Sequence, residues 1–136
     1  MVGVLVVTHH NLGNALVAVS EMISGKIESL EAISVDFEKD PERLRKDILT
    51  AVKKLDNGDG VLIMTDMFGG TPSNLSLSFL KDGKVEVLSG VNLPMLIKLS
   101  TYRNNKSLDE LAMELKSYGQ NNINLASEIM NRKVDR

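Results

Sequence analysis

Val2-Gly3-Val4-Leu5-Val6-Val7-Thr8-His9-His10 opens the chain with an almost unbroken valine and leucine run that halts at two histidines. A run without polar alternation suits a strand covered on both faces, as in a parallel sheet held between helices. Val61-Leu62-Ile63-Met64 repeats the pattern, and Ala32 to Phe37 and Val85 to Leu88 are weaker, alternating versions. Helical patterns lie between these runs. Leu12, Ala15, Leu16, Val19, Met22 and Ile23 recur at the helical period, and Gly25 supplies a stop. Asp40-Pro41-Glu42 reads as an N-cap with proline in the first turn, ahead of the stripe Leu44, Ile48, Val52, Leu55 and a stop at Asn57-Gly58. Thr71-Pro72 and Asn92-Leu93-Pro94 open two more helices. Ser107 with Glu110 matches a capping box before Leu111 and Leu115, and Gly119 ends that helix.

The order β-α-β-α-β-α-β-α-α predicts an α/β three-layer sandwich with right-handed crossovers around a mostly parallel sheet of four strands. Ile123-Asn124-Leu125 is expected to add a short strand, and residues 131–136 are expected to fray. With 136 residues the chain makes one domain that buries about two-thirds of its surface. There is no cysteine, which excludes disulfides and thiol nucleophiles. A net charge of -2 and the absence of tryptophan argue against a nucleic-acid surface. No apolar stretch reaches the roughly 20 residues of a membrane span, and the N-terminus lacks the basic region of a signal peptide. A cytoplasmic location, in a bacterial cytosol, is the expectation.

In an open parallel sheet, ligands bind beyond the carboxyl ends of the strands. Three of those ends carry unusual residues here: Thr8-His9-His10-Asn11, Thr65-Asp66-Met67-Phe68-Gly69-Gly70-Thr71-Pro72, and Ser89-Gly90-Val91-Asn92. One rim thus combines an imidazole, a carboxylate, a glycine pair and a helix start bearing a hydroxyl, a set that suits phosphoryl transfer through histidine. A neutral imidazole nitrogen is a competent nucleophile. A carboxylate on the other ring nitrogen fixes the tautomer and supports the positive charge that develops on attack; Asp66 is the candidate. Backbone N–H groups of Gly70, Thr71 and Ser73, with the two hydroxyls, could hold phosphoryl oxygens. Taken singly, each residue has a plainer reading: a turn histidine, a loop-capping aspartate, an ordinary Gly-Gly turn, a helix start. Periodicity alone does not choose between His9 and His10. His10, Phe68 and Asn92 are candidate rim or partner contacts.

Rival motifs fail. Gly83-Lys84 continues with Val85, so there is no phosphate-binding G-x-x-x-x-G-K-[ST] loop, and neither G-x-G-x-x-G nor G-x-S-x-G occurs. With adjacent histidines and no cysteine, a metal site has few candidate ligands, and no cofactor is implied. The seven methionines read as core filling, and the stretch Glu38 to Lys54 as a solvated helix face.

The rim segments Val6-Val7-Thr8-His9, residues 65–72 and Gly90-Val91-Asn92-Leu93-Pro94-Met95-Leu96 resemble the enzyme IIA component of the mannose-type (mannose/fructose/sorbose) sugar phosphotransferase system. The resemblance runs from the first strand through Leu111. It implies that His9 takes the phosphoryl group, that Asp66 is its partner, and that Thr71 is the hydroxyl residue after Gly-Gly. It further implies the phosphocarrier protein HPr as donor, a separate IIB protein as acceptor since no fused IIB domain follows, and an indirect link to a sugar permease. The family's fold adds an antiparallel C-terminal strand exchanged within a homodimer, which would fall on Ile123-Asn124-Leu125 and cover an open sheet edge. This chain departs from the family at His10, where glycine is common. A regulatory sensor without a transport role, and a flavodoxin-like small-molecule module, are the alternatives.

Overall fold

The computed structural model describes residues 1–134. Four parallel strands, β1 (Gly3–His9), β2 (Leu30–Val35), β3 (Val61–Thr65) and β4 (Val85–Ser89), form one sheet in the order β2-β1-β3-β4. The continuous apolar runs are the two central strands, buried along almost their whole length, and the alternating runs are the half-buried edges. Successive side chains of a strand point to opposite faces. Val4 and Val6 of β1 therefore join Leu62 and Met64 on one face, and Leu5 and Val7 join Val61 and Ile63 on the other.

Helices complete the two outer layers. The first face packs on α1 (Leu12–Ser24), α4 (Leu93–Tyr102) and α5 (Leu108–Asn121), through Leu96, Leu99, Leu111 and Leu115. The second packs on α2 (Pro41–Leu55) and α3 (Thr71–Leu77), through Leu44, Ile48, Val52 and the partly buried Leu75. The expected caps at Asp40 and Ser107 form, and Asn92 opens α4 in the same way: their side chains accept from the N–H groups of Glu42, Glu110 and Met95. At α3 the cap expected from Thr71 is instead Gly70, with Thr71 the first helical residue and no side-chain cap bond. The chain passes from β1 to one side for β2 and returns to the other side for β3. The switch of direction therefore falls between β1 and β3, where such sheets place their sites.

Several expectations are corrected. Ile123-Asn124-Leu125 forms no strand, and the sheet stays wholly parallel among the described residues. Instead α6 (Ala126–Val134) begins at once, with the Leu125 carbonyl accepting from the N–H groups of Glu128 and Ile129. Ala126, Ser127, Glu128 and Met130 favour a helix more than a strand. Residues 131–134 continue α6 rather than fray, and positions 135 and 136 lie outside the described residues. The α1 stripe also differs from its sequence pattern. Met22 and Ile23 are exposed, and α1 seats itself through Gly13, Ser20 and the partly buried Leu16 and Val17. A Cβ on Gly13 would stand 3.1 Å from Thr8 Oγ1 and 3.2 Å from Val6, so close approach to β1 selects the small residues for the buried face. Only Met64 and Met95 of the methionines are buried; the others sit on outward faces and loops. No helix among the described residues is long and apolar enough to cross a membrane.

The amino-terminal end of the sheet is tied by Arg103, whose guanidinium is buried at the end of α4. Its Nη1 donates to the carbonyls of Val2 (3.3 Å) and Ser29 (3.2 Å), and Nη2 donates to that of Glu28. Arg103→Met should lower the unfolding free energy by about 2 kcal/mol, because it removes the guanidinium bond to the buried Val2 carbonyl and the two bonds to the Glu28–Ser29 turn. Urea titration reads this. Backbone amide shifts at Thr8, His9 and Asp66, roughly 20 Å away along β1, should stay in place. An unchanged urea midpoint would show that Arg103 contributes nothing to holding this end.

Candidate functional site

β1 and β3 run side by side with Val7 opposite Thr65, so the residues that follow emerge together at the switch point. Asp66 takes two bonds from His9 on one oxygen: the backbone N–H donates to Oδ2 at 3.0 Å and the ring Nδ1 lies 2.8 Å from the same atom. Asp66 Oδ1 accepts from the Met67 N–H at 3.0 Å. An ionised carboxylate can only accept, so in the neutral imidazole Nδ1 carries the proton and Nε2 keeps its lone pair. The Asp66 side chain is 11% exposed and that of His9 32%. Burial pushes the Asp66 carboxyl pKa up. The hydrogen bonds from the His9 ring and backbone, with the attraction of that ring when protonated and the Met67 bond, outweigh it and hold the pKa below the ordinary aspartate value.

Gly70 occupies the other edge of the ring. A Cβ there would stand 2.7 Å from His9 Cε1 and 3.1 Å from Nε2, so only glycine lets the loop backbone come this near. The loop reaches that position through Gly69, whose φ of +96° belongs to glycine. The Asn74 N–H then closes the first turn of α3 on the Gly70 carbonyl at 2.8 Å. This leaves the N–H groups of Thr71 and Ser73 ahead of the first intrahelical bond. Thr71 is half-buried at the rim. Ser73 is wholly buried, and its hydroxyl has no partner and does not reach the surface. The structure therefore does not bring Ser73 to the rim.

The other candidates divide. Phe68 stands 72% exposed at the mouth of the site, beside Met67. Asn92 is engaged structurally: its Oδ1 caps α4, and its Nδ2 donates to the Gly119 carbonyl at 3.1 Å, binding α5 to the β4 end. His10 is exposed one residue beyond the nucleophile candidate. Sequence reasoning missed two contributors. Thr8 is buried, and its Oγ1 accepts from the Gly13 N–H at 2.7 Å, fixing the turn from β1 into α1. Phe37, in the loop after β2, stands 80% exposed with its ring centroid 6.0 Å from that of His9. One of the three phenylalanines thus stands beside the imidazole, a signal that position at a strand end could have supplied.

The site is an open rim and not a cavity. Two cavities, one of about 530 Å³ along α4 and α5 and one of about 410 Å³ beside β4, are lined by neither His9 nor Asp66. No group of three His, Cys, Asp or Glu side chains among the described residues is arranged to hold a metal ion.

Comparison with known proteins is consistent across sequence and fold. The EIIA-man family, described as the fructose IIA component of the phosphotransferase system (PTS), matches residues 3–116. The fructose-specific EIIA component of Bacillus subtilis (strain 168) is 31% identical over 129 residues, covering 94% of this chain and 88% of that protein. The mannose-specific EIIAB component of Escherichia coli (strain K12) is 31% identical over 112 residues, which span 81% of this chain and 35% of the longer protein. Among solved structures, the phosphotransferase system component EIIA of Streptococcus agalactiae superposes with a TM-score of 0.84 at 26% identity, covering 94% of this chain and 99% of that one.

The lowered Asp66 pKa has a sign that experiment can read. A carboxylate held below its unfolded value of about 3.9 adds stability above that pH and loses it as pH falls through the folded value. Wild type should therefore exceed Asp66→Asn in stability at neutral pH, and the gap should close below about pH 4. A gap independent of pH would contradict the ionised pair. Gly70→Ala should leave the fold intact yet displace the His9 ring, visible as a weakened Nδ1–Asp66 bond in imidazole NMR.

Proposed function

Because the chain belongs to the mannose/fructose/sorbose family of phosphotransferase-system IIA components, whose role is phosphoryl transfer through histidine, we propose that His9 is the residue that carries the phosphoryl group. The observation that carries this reading is the division of labour around one ring. Asp66 holds Nδ1–H at 2.8 Å, and the Gly70 turn lies against the opposite edge, beside Nε2.

The chemistry follows from that placement. The donor is the phosphohistidine of HPr, a protein and so suited to an open rim. The Nε2 lone pair of His9 attacks phosphorus, the donor's P–N bond breaks, and its electron pair returns to the donor imidazole. Positive charge develops on the His9 ring as the new bond forms, and the Asp66 carboxylate stabilises it through Nδ1–H. The N–H groups of Gly70 and Thr71 and the Thr71 hydroxyl are the donors toward the phosphoryl oxygens. A second in-line displacement passes the group to a nucleophile of a separate IIB protein, which serves a sugar permease. A sensor that only receives phosphate would share this site and differ in the second transfer, so an acceptor assay separates them. A small-molecule module is disfavoured by the open rim.

A homodimer belongs to the same reading. Beyond Val85, which bridges to Lys81, no strand among the described residues pairs with the outer edge of β4, and Ile123, Leu125 and Met130 beyond α5 are exposed. The accessible surface of 8091 Å² exceeds the roughly 7,000 Å² usual for a monomer of this mass. A second copy covering this region would bury both the edge and the apolar side chains.

Incubation with phosphoenolpyruvate, enzyme I and HPr, read by intact mass, should add one phosphoryl group to wild type and to His10→Ala, and none to His9→Ala. Asp66→Asn should keep the fold and slow transfer by about 100-fold. Phosphate on a His9→Ala protein would refute the assignment, and an unslowed Asp66→Asn would remove the role given to that carboxylate.

A further inference from the structure

His10 is a bulky residue in a backbone conformation that favours glycine. Its φ of +50° lies in the left-handed region, where a Cβ crowds the backbone and costs stability that glycine does not lose. The turn that imposes this angle is held by groups other than the imidazole. The His10 N–H donates to the Val35 carbonyl at 3.2 Å, Thr8 Oγ1 accepts from the Gly13 N–H, and the Thr8 hydroxyl leans toward the His10 carbonyl at 3.4 Å. Whatever stands at position 10 must take this conformation. The exposed imidazole makes no hydrogen bond, ion pair or ring contact with the described residues, so no side-chain bond among them compensates the strain. Strain retained beside a reactive group without such a bond points to a role outside the folded chain.

Geometry says where that role lies. A protein handing a phosphoryl group to His9 must bring it to about 3–3.5 Å from Nε2 before transfer. The next Cα is only about 3.8 Å along the chain. His10 therefore falls inside the footprint of any such protein, together with the exposed Phe37, Met67 and Phe68. Among these it is the side chain able to hydrogen-bond. We propose that His10 is a partner-selecting residue, whose imidazole donates a hydrogen bond to a carboxylate or carbonyl at the edge of the donor protein's phosphohistidine face. The proposal rests on His9 as the phosphoryl acceptor. It assigns His10 to recognition and not to the chemical step.

Two variants test it. His10→Gly removes both the imidazole and the strain, and His10→Ala removes the imidazole and every side-chain donor while keeping a Cβ in the left-handed region. Rapid-mix phosphorylation of His9 by phosphorylated HPr, measured against HPr concentration, gives the half-saturating concentration and the limiting rate. Both variants should raise half-saturation about five- to tenfold, the worth of one modest hydrogen bond, with the limiting rate within about twofold of wild type. His10→Gly should also unfold at a higher urea concentration than wild type. Unchanged half-saturation in both variants would overturn the proposal, as would a loss confined to the limiting rate. Site mapping on the wild type keeps the two claims apart. Phosphate missing from His9 refutes the assignment of His9, whereas phosphate on His9 with unaltered half-saturation refutes only the role of His10.

Discussion

One oxygen atom organises the site. Asp66 Oδ2 accepts from both the main chain and the ring of His9, so the residue is gripped at two points by a single side chain. The backbone bond joins the ends of β1 and β3, and the ring bond sets the tautomer and the orientation of the imidazole. Neither can shift without the other. Nε2 is then the free nitrogen by necessity, since a carboxylate offers no proton of its own. The precision of this grip comes from below. β1 and β3 are the central, buried strands, and their register brings the two chain segments out at the same level.

The arrangement balances burial against access. Asp66 is sheltered enough for its bonds to His9 to matter and is ionised despite that shelter, because those bonds outweigh the desolvation. His9 is one-third exposed, and its surroundings are loops after three strands and not the walls of a pocket. A group that must pass from protein to protein needs such an open mouth. Exposed Phe37 and Phe68 are apolar surface that water covers poorly and a docking protein covers well.

What could be read from the sequence was what local chemistry decides. Val2 to Val7 and Val61 to Met64 announced buried strands by composition alone, and Asp40, Asn92 and Ser107 announced helix starts by bonding within three residues. His9 and Asp66 lie 57 positions apart, yet both were legible because strand ends in a parallel sheet share a rim. Features set by distant packing were not. Arg103 reaches carbonyls up to 101 positions away, the Phe37 contact depends on how one loop folds over β1, and the left-handed turn at His10 follows from bonds to Val35 and Thr8. The α1 pattern misled because apolar spacing does not say which face the sheet approaches, and close approach favoured Gly13 and Ser20. At Ile123-Asn124-Leu125 an alternation of three residues was too short to separate a strand from the lead-in to α6.

The central claim is that His9 reacts through Nε2 while Asp66 holds Nδ1–H. Long-range proton–nitrogen NMR of the imidazoles, recorded before and after phosphorylation by HPr, tests it most directly. The expected result is a protonated Nδ1 on His9 in both states, with phosphorus coupling on its Nε2 after transfer. Phosphorus coupling on Nδ1 of His9, or on either nitrogen of His10, would contradict it.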